Sequence, residues 1–248
     1  MKKYLGLFIC LLAVLFFIPK VRAEASKEVM EQYIPGEVLD AMSQEQYDFY
    51  ASLDYDNAIT QSIDIPISDY PTEISPIGDE MLDRGSSYST TYKTLSLSAI
   101  PAGGVNYAIA LTLQWKYMPT IRSFDVIAIR FANMAMSNGS QYGYQSYTGG
   151  SVGYSYNGTN MKLLSNGFGI SMNLVNNTIS SLQCFIAVTA AKGTNAAIYG
   201  AYEHATVNTT LAKSKKYTLS SIGQGGVINF DSSVWNIYDD MNGVNINL

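Results

Sequence analysis

The sequence predicts a mainly β protein: an antiparallel β-sandwich of the jelly-roll or immunoglobulin-like kind, preceded by a short helical N-terminal arm. Three observations carry this reading. Past Arg84 the apolar residues recur at every second position, the period of a half-buried strand. These runs are short, bounded by Gly, Pro, Asn and Ser clusters, and have no helical pattern between them, which argues against a parallel sheet. Before Arg84 the apolar spacing is helical and then gives way to evenly placed prolines.

The chain opens Met1-Lys2-Lys3 and runs apolar from Tyr4 to Ile18, with Pro19 next and small residues at Ala23 and Ala25. That pattern predicts a secretory signal peptide over residues 1–25. The run is shorter than the roughly 20 residues of a spanning helix, so membrane contact is expected only during export. Cys10 lacks the preceding small residues of a lipid-attachment site. The protein is therefore expected to be secreted, extracellular and bacterial. Loss of the signal would leave Cys184 as the one cysteine and no disulfide within the chain. Cys184 reads as a small buried hydrophobe.

Residues 26–57 read as an acidic segment of short helices. Val38, Leu39 and Met42 fall at helical spacing after Pro35-Gly36, and Ser43 with Gln46 has the form of a capping box. Pro66, Pro71 and Pro76 follow, so residues 58–90 are expected to form an extended linker to the sandwich domain at 91–248. Charge divides at the same place. Fifteen of the 20 acidic residues lie between Glu24 and Asp83, where Lys27 is the only basic residue; from Arg84 onward ten basic residues face five acids. The acidic arm would repel nucleic acid, and the body's cations are scattered, so nucleic acid is not an expected partner.

Within the body, Leu95, Leu97 and Ala99 alternate with polar residues, and Pro101-Ala102-Gly103-Gly104 closes a hairpin into a long strand. There Val105, Tyr107, Ile109, Leu111, Leu113, Trp115 and Tyr117 share one face. "FDVIAIRF" is apolar on both faces, as in a central strand. Further strands are predicted at 168–174, 182–191, 196–207, 216–220 and 226–230. Val234, Ile237, Tyr238 and Met241 predict a short helix before a last strand carrying Val244, Ile246 and Leu248.

The residues needed for common chemistries are sparse. His204 is the only histidine, so a general base and zinc sets of three or four His/Cys ligands both lack material. Gly149-Gly150-Ser151-Val152-Gly153 matches the nucleophile motif G-x-S-x-G, but no helix-forming run follows it. Asp54 and Asp56 open like a calcium loop, yet Ile59 and Ile65 occupy the glycine and glutamate positions. No metal or cofactor is expected. Of the body's carboxylates, Asp125 is expected to pair with Arg122, and Glu203 alternates to the strand face opposite His204. The body's carboxylates are Asp125, Glu203, Asp231, Asp239 and Asp240, and a hydrolase would need a pair such as Asp125 with Glu203.

The stretch "QYGYQSYTGGSVGYSYNG", residues 141–158, carries five tyrosines and no charge. A turn centred on Gly149 would oppose Tyr144 to Tyr154 and Tyr142 to Tyr156, forming one aromatic platform; a shift by one residue would dissolve it. Such rings suit stacking on a sugar or docking a protein. The leading expectation is thus a secreted, non-catalytic sandwich that binds a glycan or surface protein through Tyr142, Tyr144, Tyr154 and Tyr156. Alternatives are an extracellular hydrolase using Asp125 and Glu203, or a toxin or assembly-forming protein whose acidic arm masks the body.

Overall fold

The computed structural model describes residues 24–66, 74–75, 91–148, 154–155, 158–176, 178–220, 227–239 and 243–248. The expected signal sequence before residue 24 and the G-x-S-x-G motif lie outside them. No helix of the described residues is long and apolar enough to cross a membrane.

Three short helices come first: α1 (Lys27–Met30), α2 (Gly36–Ala41) and α3 (Gln44–Ala51). Each is too short to persist alone in water, so packing must hold it. The capping box at α3 forms in full: Gln46 N–H donates to Ser43 Oγ at 3.3 Å and Ser43 N–H to Gln46 Oε1 at 3.1 Å. We expect Ser43→Ala to cost about 1 kcal/mol. A thermal midpoint lower by about 2–4 °C would register it.

The strands follow as β1 (Ile59–Pro66), β2 (Ile74–Ser75), β3 (Thr91–Pro101), β4 (Asn106–Trp115), β5 (Met118–Pro119), β6 (Phe124–Met136) and β7 (Tyr142–Thr148). Then come β8 (Tyr154–Ser155), β9 (Met161–Leu164), β10 (Gly167–Asn173) and β11 (Ser181–Glu203). A helical turn α4 (Leu211–Ser214), the pair β12 (Tyr217–Leu219) and β13 (Ile228–Phe230), and β14 (Val244–Asn247) complete the chain. Every ladder is antiparallel.

The organising element is β11. Its first half pairs with β4 on one side and β7 on the other; its second half pairs with β14 and β6. The change of layer falls between Lys192 and Ala197, where the register with β6 shifts. Asn195 and, on β6, Asn133 both take φ of 54° there, a conformation asparagine tolerates better than most residues. Asn133 Nδ2 also donates to the Asn195 carbonyl at 3.1 Å, which fastens the corner. One layer therefore runs β1-β3-β4-β11-β7-β8, and the other β14-β11-β6-β10-β9.

Between the layers lies the main core. Leu95, Leu97, Ile109, Leu111, Leu113, Cys184, Ile186 and Val188 come from one sheet; Ile127, Ile129, Phe168, Ile170, Ile198 and Ile246 come from the other. Gly200 permits the closest approach, since a Cβ there would lie 2.5 Å from Leu111 Cδ1. The outer faces are also covered. The helices bury Ile100, Ala108, Ala110, Tyr144, Phe185 and Ala187, while Tyr217, Leu219, Ile228 and Tyr238 cover Val126, Ala128 and Ala201.

The structure corrects three expectations. Residues 59–66 are not a free linker but an edge strand on β3, because Ile63 and Ile65 face the core and Thr60, Ser62 and Asp64 bond across to Ser98, Ser96 and Thr94. The two strands read at 182–191 and 196–207 are one bent strand. Of the helix read at 234–241, the described part (234–239) holds a single 3-10 turn, Trp235–Ile237, because Tyr238 bridges to Ala205 and Asp239 N–H donates to the His204 carbonyl at 2.9 Å.

Candidate functional site

The tyrosine stretch enters the sandwich as β7. Its register sets Tyr142 opposite Ala187, Tyr144 opposite Phe185 and Tyr147 opposite Leu182. Tyr142 and Tyr144 share the outer face, with rings stacked 6.2 Å apart at 18°. Tyr147 goes to the inner face and packs on the main core. Tyr144 is 2% exposed, closed over by the N-terminal helices; Tyr142 is half-buried. Across the hairpin the backbone register is Tyr144 with Ser155 and Gln145 with Tyr154. This differs by one residue from the expected opposition of Tyr144 to Tyr154. Tyr156 lies outside the described residues.

A different group of side chains converges inside the body. Asp125, near the start of β6, is fully buried. Its Oδ2 accepts from the Tyr202 hydroxyl and lies 2.9 Å from His204 Nδ1, and its Oδ1 accepts the Ala205 N–H at 3.0 Å. This corrects the expected pairing of Asp125 with Arg122. Arg122 Nε instead donates to the Pro119 carbonyl at 3.2 Å and Nη1 to that of Val175 at 3.4 Å. The strand's pleat explains the change, since Asp125 alternates to the same inward side as Ile127 and Ile129.

His204 follows Ile198, Gly200 and Tyr202 on the inward face of β11, as its spacing predicts. Its ring meets Trp115 edge-on at 4.9 Å between centroids. Its backbone N–H donates to Asp239 Oδ1 at 2.6 Å. Asp239 Oδ2 in turn contacts the ammonium of Lys93, and both of those side chains are wholly buried. The Lys93 nitrogen sits 5.0 Å from the Trp115 ring centre and 5.5 Å from those of Tyr92 and Tyr202. Thus two carboxyls, a histidine, a lysine and a tyrosine line one sealed interior site. Glu203 is left out of it, on the outer face of β11, because neighbouring strand residues point to opposite sides.

Electrostatics in this site follow from burial. The Tyr202 hydroxyl is held well above its ordinary pKa by desolvation first and by the Asp125 charge second. The Cys184 thiol, 3.9 Å from the Tyr202 hydroxyl, is likewise pushed up by burial and by Asp125. A thiol so placed is a poor nucleophile.

Lys93 and Asp239 are not among the residues that the sequence alone singles out, although one signal is present. Lys93 continues the odd-numbered, inward series Leu95, Leu97 and Ala99, so the alternation itself sets a charge in the core. Asp239 gives no such sign, because its segment carries a helical apolar pattern.

Among the described residues no cluster of three or more His, Cys, Asp or Glu is arranged to hold a metal ion. Asp54, from the calcium-like spacing, caps the turn at Tyr55–Asn57 by accepting the Asn57 N–H at 3.2 Å. A shallow surface depression gathers Glu31, Glu37 and Asp40, with Lys27 lying 3.7 Å from Glu31 and 2.5 Å from Asp40.

No family model matches the chain, and no curated protein matches it. Among solved structures it is similar to the pilus backbone protein RrgB of Streptococcus pneumoniae, with 10% identity and a TM-score of 0.29. That match covers 58% of this chain and 40% of the pilus protein, less than half of the latter's length.

Proposed function

We propose that the chain is an exported, non-catalytic β-sandwich that acts through its surface, binding a glycan or protein at a cell surface or in the extracellular medium. The observation that carries this reading is the placement of the titratable groups. Asp125, His204, Asp239 and Lys93 are spent inside the body, where no polymer substrate could reach them without unfolding. A hydrolase using Asp125 with Glu203 fits poorly, since those side chains leave on opposite sides of their layer.

The ligand contact is placed at the tyrosine-rich hairpin. Tyr144 being enclosed, the task falls to Tyr142 with Tyr154 and Tyr156. Binding of the native protein to glycan arrays, wall polysaccharide and surface-protein fractions tests the reading. The expected result is saturable binding that Tyr154→Ala with Tyr156→Ala weakens about tenfold or more, the loss of one good stacking contact. Absence of binding to every fraction would sink it, as would turnover of a polymer that Asp125→Asn abolishes.

A further inference from the structure

We propose that Lys93 and Asp239 are joined in the mature protein by an amide bond between Lys93 Nζ and Asp239 Cγ, formed by the fold itself. Lysine is almost never fully buried, and here its amine meets a carboxyl that is fully buried too, 146 residues along the chain. Two features make this pair chemically unlike a surface ion pair.

The first is the surroundings. Three aromatic rings, those of Tyr92, Trp115 and Tyr202, stand 5.0–5.5 Å from the nitrogen. Where water is excluded, a neutral amine beside a neutral acid costs far less, relative to separated charges, than it does in solvent. Water, which in solution drives amide hydrolysis, is also kept away from the product. The second is orientation. Asp239 is fixed at both ends, since its own N–H donates to the His204 carbonyl at 2.9 Å and its Oδ1 accepts the His204 N–H at 2.6 Å. The other oxygen, Oδ2, faces the amine. Holding two reactants at contact distance is worth effective concentrations of roughly 10⁵–10⁸ M.

The step balances without a cofactor. One proton passes from the lysine ammonium to Oδ2, leaving an amine and a carboxylic acid. The amine lone pair attacks Cγ, and the C–N bond forms as negative charge gathers on Oδ1. There the His204 N–H already donates, as an oxyanion donor must. A second proton moves from nitrogen to Oδ2, the Cγ–Oδ2 bond breaks, and one water leaves. Nothing is oxidised or reduced. His204 acts here through its backbone; its ring, bonded to Asp125, is a positioning element.

The bond would tie β3 to the segment just before β14, closing most of the sandwich in a covalent loop. A body whose only cysteine is Cys184 has no internal disulfide to serve that end.

Mass spectrometry of the purified wild-type protein under denaturing conditions decides between an amide and an ion pair. The expected intact mass is one water below that of the linear chain. Trypsin should fail to cut after Lys93 and should yield a branched peptide joining the Lys93 and Asp239 segments. A succinimide elsewhere would also lose one water, but it would leave Lys93 cleavable. Lys93→Met and Asp239→Ala should each restore the full mass. Wild-type protein of full linear mass, cut after Lys93 into two unlinked peptides, would show an ion pair only and overturn the proposal. That outcome needs neither variant to fold, and it is independent of any ligand found for the surface.

Discussion

Asp125→Ala is expected to lower the stability of the fold by about 3–5 kcal/mol, the usual cost of removing one partner from a buried polar network. The reason is the number of groups that share this carboxyl. The Tyr202 hydroxyl, His204 Nδ1 and the Ala205 N–H all converge on it, and Asp125 itself is fully buried. Removal strands polar atoms from β11 and the bridge beyond it in a space too apolar to rehydrate them. Asp125→Asn keeps the shape and one acceptor oxygen. The tyrosine oxygen and a neutral imidazole nitrogen can turn to accept from its amide, so its cost should be nearer 1–2 kcal/mol, by the usual scale for neutral buried hydrogen bonds. Urea unfolding followed by fluorescence measures both, and the midpoint should fall without a change in slope. If alanine and asparagine proved equally mild, Asp125 would not be the centre of the network. Glu203→Gln provides the contrast, since Glu203 lies outside the sealed site.

The network also marks the limit of what local sequence patterns encode. Period-two patterning is a local signal, and it locates β3, β4, β6, β10 and β14 because each has one or both faces buried. The same signal runs through Ile59–Pro66, where the prolines around the alternating isoleucines disguise it. It divides β11 at Gly193-Thr194-Asn195, since polar residues at a corner between layers look like a loop. What patterning does not encode is which distant residues meet. Asp125 and His204 are 79 positions apart, Lys93 and Asp239 146, and only the closing of two sheets brings them together. Arg122, three residues from Asp125, is the better partner on local grounds; the pleat sends the carboxyl inward instead. For the tyrosine hairpin the discrepancy is one of register. Tyr144 stands opposite Ser155 rather than Tyr154, and no local feature of a Gly-Gly sequence forbids either register. Nor does the apolar face of short helices near the N-terminus announce that it will lie over Tyr144.

Removal of residues 24–57 is expected to make the body associate more than the intact chain does. These residues read as an acidic arm, and charge does dominate them, with nine carboxylates against Lys27 alone. Yet Met30, Ile34, Val38 and Leu39 are buried, and what they bury is the outer face of the first sheet: Ile100, Ala108, Ala110, Tyr144, Phe185 and Ala187. Each large side chain among these is worth about 1.5–3 kcal/mol of burial, and a contiguous exposed patch of them is a surface that soluble monomers avoid. Truncation would bare that patch and remove nine of the 20 carboxylates with one lysine, leaving 11 acids against ten basic residues from position 58 onward, so attraction rises as repulsion falls. Size-exclusion chromatography should show dimers or larger species, and a dye sensitive to apolar surface should bind the truncated body but not the intact one. The polar control is Glu28→Gln with Glu37→Gln, which lowers the charge while keeping the helices; it should elute as the intact chain does. A truncated body that associated no more than the intact chain and kept its thermal midpoint would mean that the helices only rest on the sheet. Association after truncation, with the charge control silent, would establish them as the fourth side of the body's packing, and the hairpin tyrosine beneath them as core.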